Sequence, residues 1–269
     1  NITLNIPKGS IYGIIGENGA GKTTLIRHLV GAYQGDTGFV ELEGMRIYEN
    51  PEAKAKLVYI PDEFFDTFGH NIRDIKELYQ GIYPSFNEAR YLRLMKMFKH
   101  DSLENFSKFS KGMKKQVMFI LALAIMPEYL IMDEPFDGLD PHIRKVIWDI
   151  LIQDVSERNM TIFISSHHLN ELDSMCDHIA LINNGKIVFE EALDHLKEGY
   201  HKLQIVLECG DDMYALEKEL KVLSHQMMGR VHTLIVAGEI EVINRTVEKY
   251  CPLINETLSL SLEENFLFT

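Results

Sequence analysis

No apolar run in this 269-residue chain is long enough to cross a membrane. The longest, Val117 to Met126, is broken by Pro127 and Glu128, well short of the roughly 20 residues a spanning helix needs. Cysteine is scarce as well. Cys176, Cys209 and Cys251 are odd in number and widely spaced, with no C-x-x-C pair, so they give no metal motif and suit a reducing cytosol. Basic residues are outnumbered, 27 against 40 acidic ones, and the net charge of −13 excludes a general binder of nucleic acid or anionic membrane. Either would need a basic patch to release counterions. No internal repeat and no low-complexity tract interrupts the chain. It opens on Asn1, without an initiator Met or a secretory pattern, inside the alternating stretch Ile2–Ile6, so further residues are expected upstream. What is present is a globular mixture, 46% hydrophobic and 25% charged, which argues for a buried core. The expectation is a soluble, acidic, cytosolic protein.

The patterning divides the chain. A strand at Ile2–Ile6, a turn at Pro7-Lys8-Gly9 and a strand at Ile11–Ile15 are followed by a helix from Lys22 to Val30, stopped by Gly31. Phe39–Glu43 alternates like a half-exposed antiparallel strand, and Asn71 to Phe109 turns helical. Tyr129–Met132 and Thr161–Ser165 are short apolar runs of the kind found in buried parallel strands. Ile179–Ile182 and Ile187–Phe189 flank an Asn-Gly turn and predict a hairpin. A helical stretch over Glu191–Glu198 leads to Gly199, a candidate boundary. Beyond it, strand patterns (Lys202–Glu208, Val231–Ala237) alternate with helical ones (Asp212–Lys221, Glu239–Tyr250). The expected architecture is α/β over residues 1–198: a parallel sheet, an antiparallel β arm and a helical insertion over about 64–127. A small α+β accessory region would fill 199–269.

Gly16-Glu17-Asn18-Gly19-Ala20-Gly21-Lys22-Thr23 fits G-x-x-x-x-G-K-[ST] between a strand and a helix, the context that confirms a phosphate loop. Glycines let the backbone wrap a phosphate with several N–H groups inward, and the helix N-terminus adds positive potential. Lys22 reaches the outer phosphates and Thr23 offers a hydroxyl to Mg2+. Taken alone, the loop does not separate a GTPase, a kinase and a motor ATPase. Tyr129–Met132 ends in Asp133-Glu134-Pro135, two adjacent carboxylates at the end of an apolar strand. Asp133 is placed to hold Mg2+, and Glu134 to polarise a water for in-line attack on a γ-phosphate. Ser110-Lys111-Gly112-Met113 opens an apolar helix with Ser110 as N-cap, aiming free N–H groups at any nearby anion.

The order of Gly16–Thr24, Ser110-Lys111-Gly112, Asp133-Glu134-Pro135, Asp137-Gly138-Leu139-Asp140 and Ser165-Ser166-His167 resembles the nucleotide-binding subunit of ABC transporters. Its Ser-Lys-Gly-Met form resembles the branch that serves ABC-2-type exporters. The resemblance implies a P-loop ATPase with ATP and Mg2+ as ligands. Gly16, Asn18, Gly19, Ala20, Gly21, Lys22, Thr23 and Thr24 would cradle the triphosphate, and Thr23, Asp133 and Asp62 would serve the metal. Glu134, His167 and Lys22 would be catalytic, His167 contacting the γ-phosphate. A second ATPase subunit, identical or not, would pack head-to-tail, with Ser110 and Gly112 reaching its ATP and Asp140 in the crossing segment. A multi-span transmembrane permease would complete the machine, holding this chain on the cytoplasmic face of the cell membrane. No nucleic acid and no metal other than Mg2+ is expected. The function implied is powering export of drugs, peptides or bacteriocin-like molecules. A nucleotide-gated regulatory module acting through a membrane partner is the alternative.

Departures from the family pattern bear on this. Lys111 and Met113 stand where the signature usually has Gly and Gln; Lys111 either adds charge near the γ-phosphate or is solvated, the reading favoured here. Asp62 stands where Gln is usual, able to sense the metal and couple the site to the insertion; beside Glu63, a surface-loop acid is the alternative. The aromatic that stacks on adenine is expected upstream of Ile2, since Tyr12 reads as core. Within the insertion, Phe64 to about Lys108 is rich in aromatics (Phe64, Phe65, Phe68, Tyr79, Tyr83, Phe86), as a docking surface for the permease would be, with at least half of them expected to pack inside the insertion instead. The closing Ser261–Leu267 segment starts with a capping-box pattern; dimer support or regulation and a plain stability role are equal readings of it.

Overall fold

The computed structural model describes residues 2–63, 71–173, 175–193, 199–208, 211–260 and 264. Phe64, Phe65, Phe68, Cys209, the later part of Glu191–Glu198 and nearly all of Ser261–Leu267 lie outside the described residues. Two compact units divide the chain, one formed by 1–168 with 175–190 and the other by 169–174 with 191–269.

In the first unit, β1 (Ile11–Ile15) is buried at every position, as a strand covered on both faces must be. It leads through the phosphate loop into α1 (Lys22–Leu29), which ends before Gly31 at φ 66°. A two-residue ladder follows, β2 (Glu41–Leu42) with β3 (Met45–Arg46), then α2 (Pro51–Ala55) and β4 (Leu57–Ile60). The insertion contributes α3 (Ile72–Ile82), opened by an Asn71–Asp74 capping box, α4 (Glu88–Phe98) and α5 (Lys111–Ala124). α5 is buried continuously from Val117 to Ala124. The longest apolar run is therefore a core helix, apolar all round because protein surrounds it.

β5 (Tyr129–Asp133), α6 (Pro141–Arg158), β6 (Thr161–Ser166), α7 (Leu169–Asp173), β7 (His178–Asn183) and β8 (Lys186–Ala192) complete the order, α7 falling in the second unit. The sheet runs β4-β5-β6-β1-β7-β8, with the pairs from β4 to β7 parallel. Asn184 and Gly185, at φ 48° and 71°, turn β7 back into β8. The parallel register sets Asp133 opposite Ser165 and Ile15 opposite Ser166, so the strands carrying the motifs end on one edge. That carboxyl edge is where ligands bind in open α/β sheets.

Several expectations are corrected. Ile2–Ile6 is not a strand: among the described residues it has no ladder partner, and Ile2, Leu4 and Ile6 pack on the core instead. The β arm around Phe39–Glu43 shrinks to Glu41–Leu42, because Glu43 and Gly44 turn the chain at φ 51° and 79°. Glu191 and Ala192 extend β8 rather than starting a helix.

The second unit carries an antiparallel four-stranded sheet. β9 (Tyr200–Val206), the helix Asp211–Glu219, β10 (Lys221–Met228), β11 (Val231–Ala237), the helix Ile240–Glu248 and β12 (Ile254–Leu258) give a β-α-β-β-α-β order with the sheet running β10-β11-β9-β12. Leu203, Ile205, Leu234 and Val236 meet Leu216, Ile243 and Val247 in its core. β10 and β12 escape the sequence reading. β10 is a bulged edge strand, largely exposed and without clean alternation, so burial leaves no period-2 signal.

Candidate active site

The phosphate loop joins β1 to α1 because its backbone takes conformations few side chains allow. Gly19 and Gly21 sit at φ 85° and 111°, and a Cβ at Gly16 would lie 2.5 Å from the Ile182 carbonyl oxygen. Gly21 is the N-cap of α1 and no side chain caps the helix, so its first N–H groups remain available to an anion. Glu17, Asn18 and Gly19 are exposed, Ala20 is buried, and Thr23 and Thr24 lie on the exposed side of the first helical turn. Lys22 is only 6% exposed. Its Nζ donates to the carbonyls of Gly16 (2.5 Å) and Glu17 (3.3 Å) and lies 3.2 Å from Glu134 Oε1.

The carboxylates at the end of β5 are held apart by their partners. Asp133 accepts from Thr23 Oγ1 at 2.7 Å and from Ser165 Oγ at 2.6 Å, so a buried charge is met by two hydroxyls. Glu134 has φ 43°, in the left-handed region that residues other than glycine seldom adopt. Its Oε2 accepts from the His167 backbone N–H (3.2 Å) and lies 2.9 Å from His167 Nδ1. Its Oε1 is buried and makes no hydrogen bond, although Lys22 is within ion-pair reach. An acceptor left open in this way is what a water poised for deprotonation requires.

Asp62 answers differently from the expectation. Its Oδ1 lies 2.9 Å from Lys111 Nζ and 3.2 Å from Lys115 Nζ. Burial alone would raise this carboxyl, but hydrogen bonds from the two lysines outweigh it and hold it below the usual carboxylate range. Lys111 is thus ion-paired rather than merely solvated, and Asp62 raises it above the ordinary lysine value although half of it is exposed. Ser110 caps its own helix by accepting from Met113 N–H at 3.2 Å. A Cβ at Gly112 would lie 2.6 Å from the Gly138 carbonyl oxygen, so this glycine permits the helix to approach the Asp137–Asp140 segment. Asp140 accepts from His142 N–H at 2.9 Å and starts α6.

The chain therefore brings together Gly16, Lys22, Thr23, Asp133, Glu134 and His167. Among the described residues, Ser110 and Gly112 make no hydrogen bond or ion pair to them. Asp137, His167 and His168 each offer a ligand atom within 4.8 Å of the others, a partly exposed grouping with His168 at the surface. Tyr12 is 1% exposed and stacks on Phe163, confirming it as core. Tyr79 stacks on Tyr83, and Phe86 packs on buried Tyr91, so these aromatics pack at least partly within the insertion. Two residues close to the chemistry escape the sequence reading. Ser165 bonds to both Asp133 and Glu134, and Lys115 reaches the Glu134 carbonyl. The available signal for Lys115 was a charge four residues before Phe119 on a helix otherwise turned to the core.

A loop that offers its amides and a lysine to a polyphosphate, beside a carboxylate with one open acceptor, belongs to the P-loop nucleoside-triphosphate hydrolases. Within that class the chain matches the family described as "ABC transporter" over residues 1–137. It is 31% identical over 269 aligned residues to the bacitracin transport ATP-binding protein BcrA of Bacillus licheniformis, covering 93% of this chain and 88% of that one. It is 28% identical to the ABC transporter ATP-binding protein YtrB of Bacillus subtilis (strain 168), over 99% of this chain and 91% of that one. A solved structure, an ATP-binding subunit of an ABC transporter, superposes with a TM-score of 0.66 at 28% identity, over 73% of this chain and 84% of that one. The chain belongs to the ABC transporter family. It is an ATP-binding subunit of a transporter, in a family whose ATP-binding domain hydrolyses ATP.

Proposed function

We propose that this chain hydrolyses ATP in a head-to-tail dimer and thereby drives a multi-span membrane subunit that exports peptide or drug-like molecules. The observation that carries the catalytic part is Glu134 Oε1, buried and without a hydrogen bond, 3.2 Å from Lys22 Nζ. The backbone of Gly16, Asn18, Gly19, Ala20 and Gly21, with Thr24, wraps the triphosphate. Lys22 exchanges its carbonyl partners and Glu134 for the outer phosphates. That exchange frees Glu134 to take a proton from the attacking water, while His167 Nδ1 holds the other carboxylate oxygen.

Thr23 Oγ1 and Asp133, already 2.7 Å apart, are hard oxygen donors that suit Mg2+ and would hold it. That ion supplies neutralisation of phosphate charge. Asp62, engaged by two lysines, does not fit as a ligand in this arrangement. Ser110 and Gly112 serve the partner's ATP, with Gly112 kept small by Gly138.

The exporter reading is supported by the likeness to a bacitracin transport protein. It is tested by purifying the chain with its membrane subunit and measuring ATP turnover with bacitracin and with cationic drugs added. Stimulation by either compound supports export. Turnover indifferent to every compound, in a complex that moves none across vesicles, would favour the regulatory module.

A further inference from the structure

An ammonium group taken out of water needs acceptors for its protons, because its desolvation is not returned by packing its stem. Lys115, on α5, is 0% exposed. Its Nζ has two acceptors from outside its helix: Asp62 Oδ1 at 3.2 Å and the backbone carbonyl of Glu134. Burial pushes this lysine below its ordinary value, and the Asp62 carboxylate opposes that shift.

The Glu134 end of this link is the informative one. A non-glycine residue in the left-handed region is strained and persists where its surroundings over-determine it. At Glu134, φ 43°, both flanking peptide groups are tied: its N–H donates to Ser165 Oγ at 3.0 Å and its carbonyl accepts from Lys115. Ser165 is fixed in turn by Asp133. Besides Lys115 the carbonyl accepts a longer bond from the Asp137 N–H, at 3.4 Å, and Lys115 is held by Asp62, two residues past β4 on the way to the insertion.

We infer that Lys115 is a positioning residue: it holds the Glu134 backbone in the conformation that sets the carboxylate between Lys22 and His167, and it couples that conformation to Asp62. The inference rests on the reading of Glu134 as the general base. It assigns Asp62 a role through Lys115 rather than through the metal. Lys111, exposed and one turn earlier on the same helix, shares that carboxylate oxygen with Lys115.

The test is steady-state ATP turnover and fluorescent-nucleotide binding by the full chain carrying Lys115→Met, Asp62→Asn, both, or Glu134→Gln. Lys115→Met should lower kcat about 10- to 100-fold, the usual consequence of misplacing a reacting group by about an ångström. Nucleotide affinity should stay within about twofold, and the Tm should hold or rise, since replacing a buried charge by a hydrophobe of similar length is often neutral or stabilising. Asp62→Asn should lower kcat alone and lower it no further in the Lys115→Met background. Normal kcat in Lys115→Met beside an inactive Glu134→Gln would overturn this inference alone. Turnover retained in Glu134→Gln would overturn the base assignment and this inference with it. Multiplying effects of the two substitutions would break the link to Asp62. If Lys115→Met does not fold, Lys115→Leu, which likewise removes every donor, should show the same fall in kcat at unchanged affinity. Unaltered kcat in that variant would overturn the inference equally.

Discussion

His167 Nδ1 lies 2.9 Å from Glu134 Oε2, and the same carboxylate oxygen accepts the His167 backbone N–H at 3.2 Å. The histidine thus fixes one oxygen of the carboxylate and leaves the other for chemistry. Replacing His167 by Ala should leave the carboxylate free to rotate, with turnover lowered roughly 10²-fold and ATP affinity retained. Single-turnover rates under saturating ATP measure this directly. A rate within threefold of the wild type would remove His167 from the site.

Lys22 is the basic side chain that joins the phosphate loop to Glu134 in an ion pair. Lys22→Ala should weaken ATP binding at least about tenfold, the worth of one charge-assisted hydrogen bond. Titration with a fluorescent ATP analogue checks it, and unchanged affinity would contradict the loop assignment.

Away from the chemistry, Asp154 on α6 is 3% exposed and takes Arg90 from α4 at 2.5 Å and Arg158 at 3.2 Å. Asp154→Ala leaves Arg90 facing a hole without its counter-charge, and should cost about 3–5 kcal/mol of stability. Urea unfolding reads the loss. A cost under about 1 kcal/mol would mean water reaches the arginine.

The Asp62 carboxyl is held below its ordinary range by Lys111 and Lys115 against the opposing effect of burial. A depressed carboxylate stabilises the fold above about pH 4, where the unfolded side chain is ionised, and loses that effect as pH falls through its lower folded value. The urea midpoint of Asp62→Asn should therefore trail the wild type at pH 7 and approach it at pH 3. A gap that widened on acidification would reverse the sign of the interaction.

Local spacing made much of this site legible. Gly16–Thr23 needs only its own residues to bend around a phosphate, and Asp133-Glu134 is marked by an apolar strand that ends in acids. Relations between distant elements were not legible. Lys115 on α5 meets Glu134, the residue after β5, and Lys111 on the same helix meets Asp62, just past β4. Neither pairing leaves a pattern along the chain. Ile2–Ile6 failed for a related reason: alternation announces a strand, but a ladder also needs a partner, and here the apolar side chains settle on the core. In the second unit, β11 was visible because its centre is buried, whereas its neighbour β10 lies half in solvent.

In the proposed mechanism the open oxygen of Glu134 receives the proton of the attacking water. Glu134→Gln keeps the shape and removes the base. Comparing ATP hydrolysis and ATP binding of that variant with the wild type, at equal protein concentration, tests it most directly. Hydrolysis should fall about 10²–10⁴-fold with binding intact. Near-normal hydrolysis would contradict it.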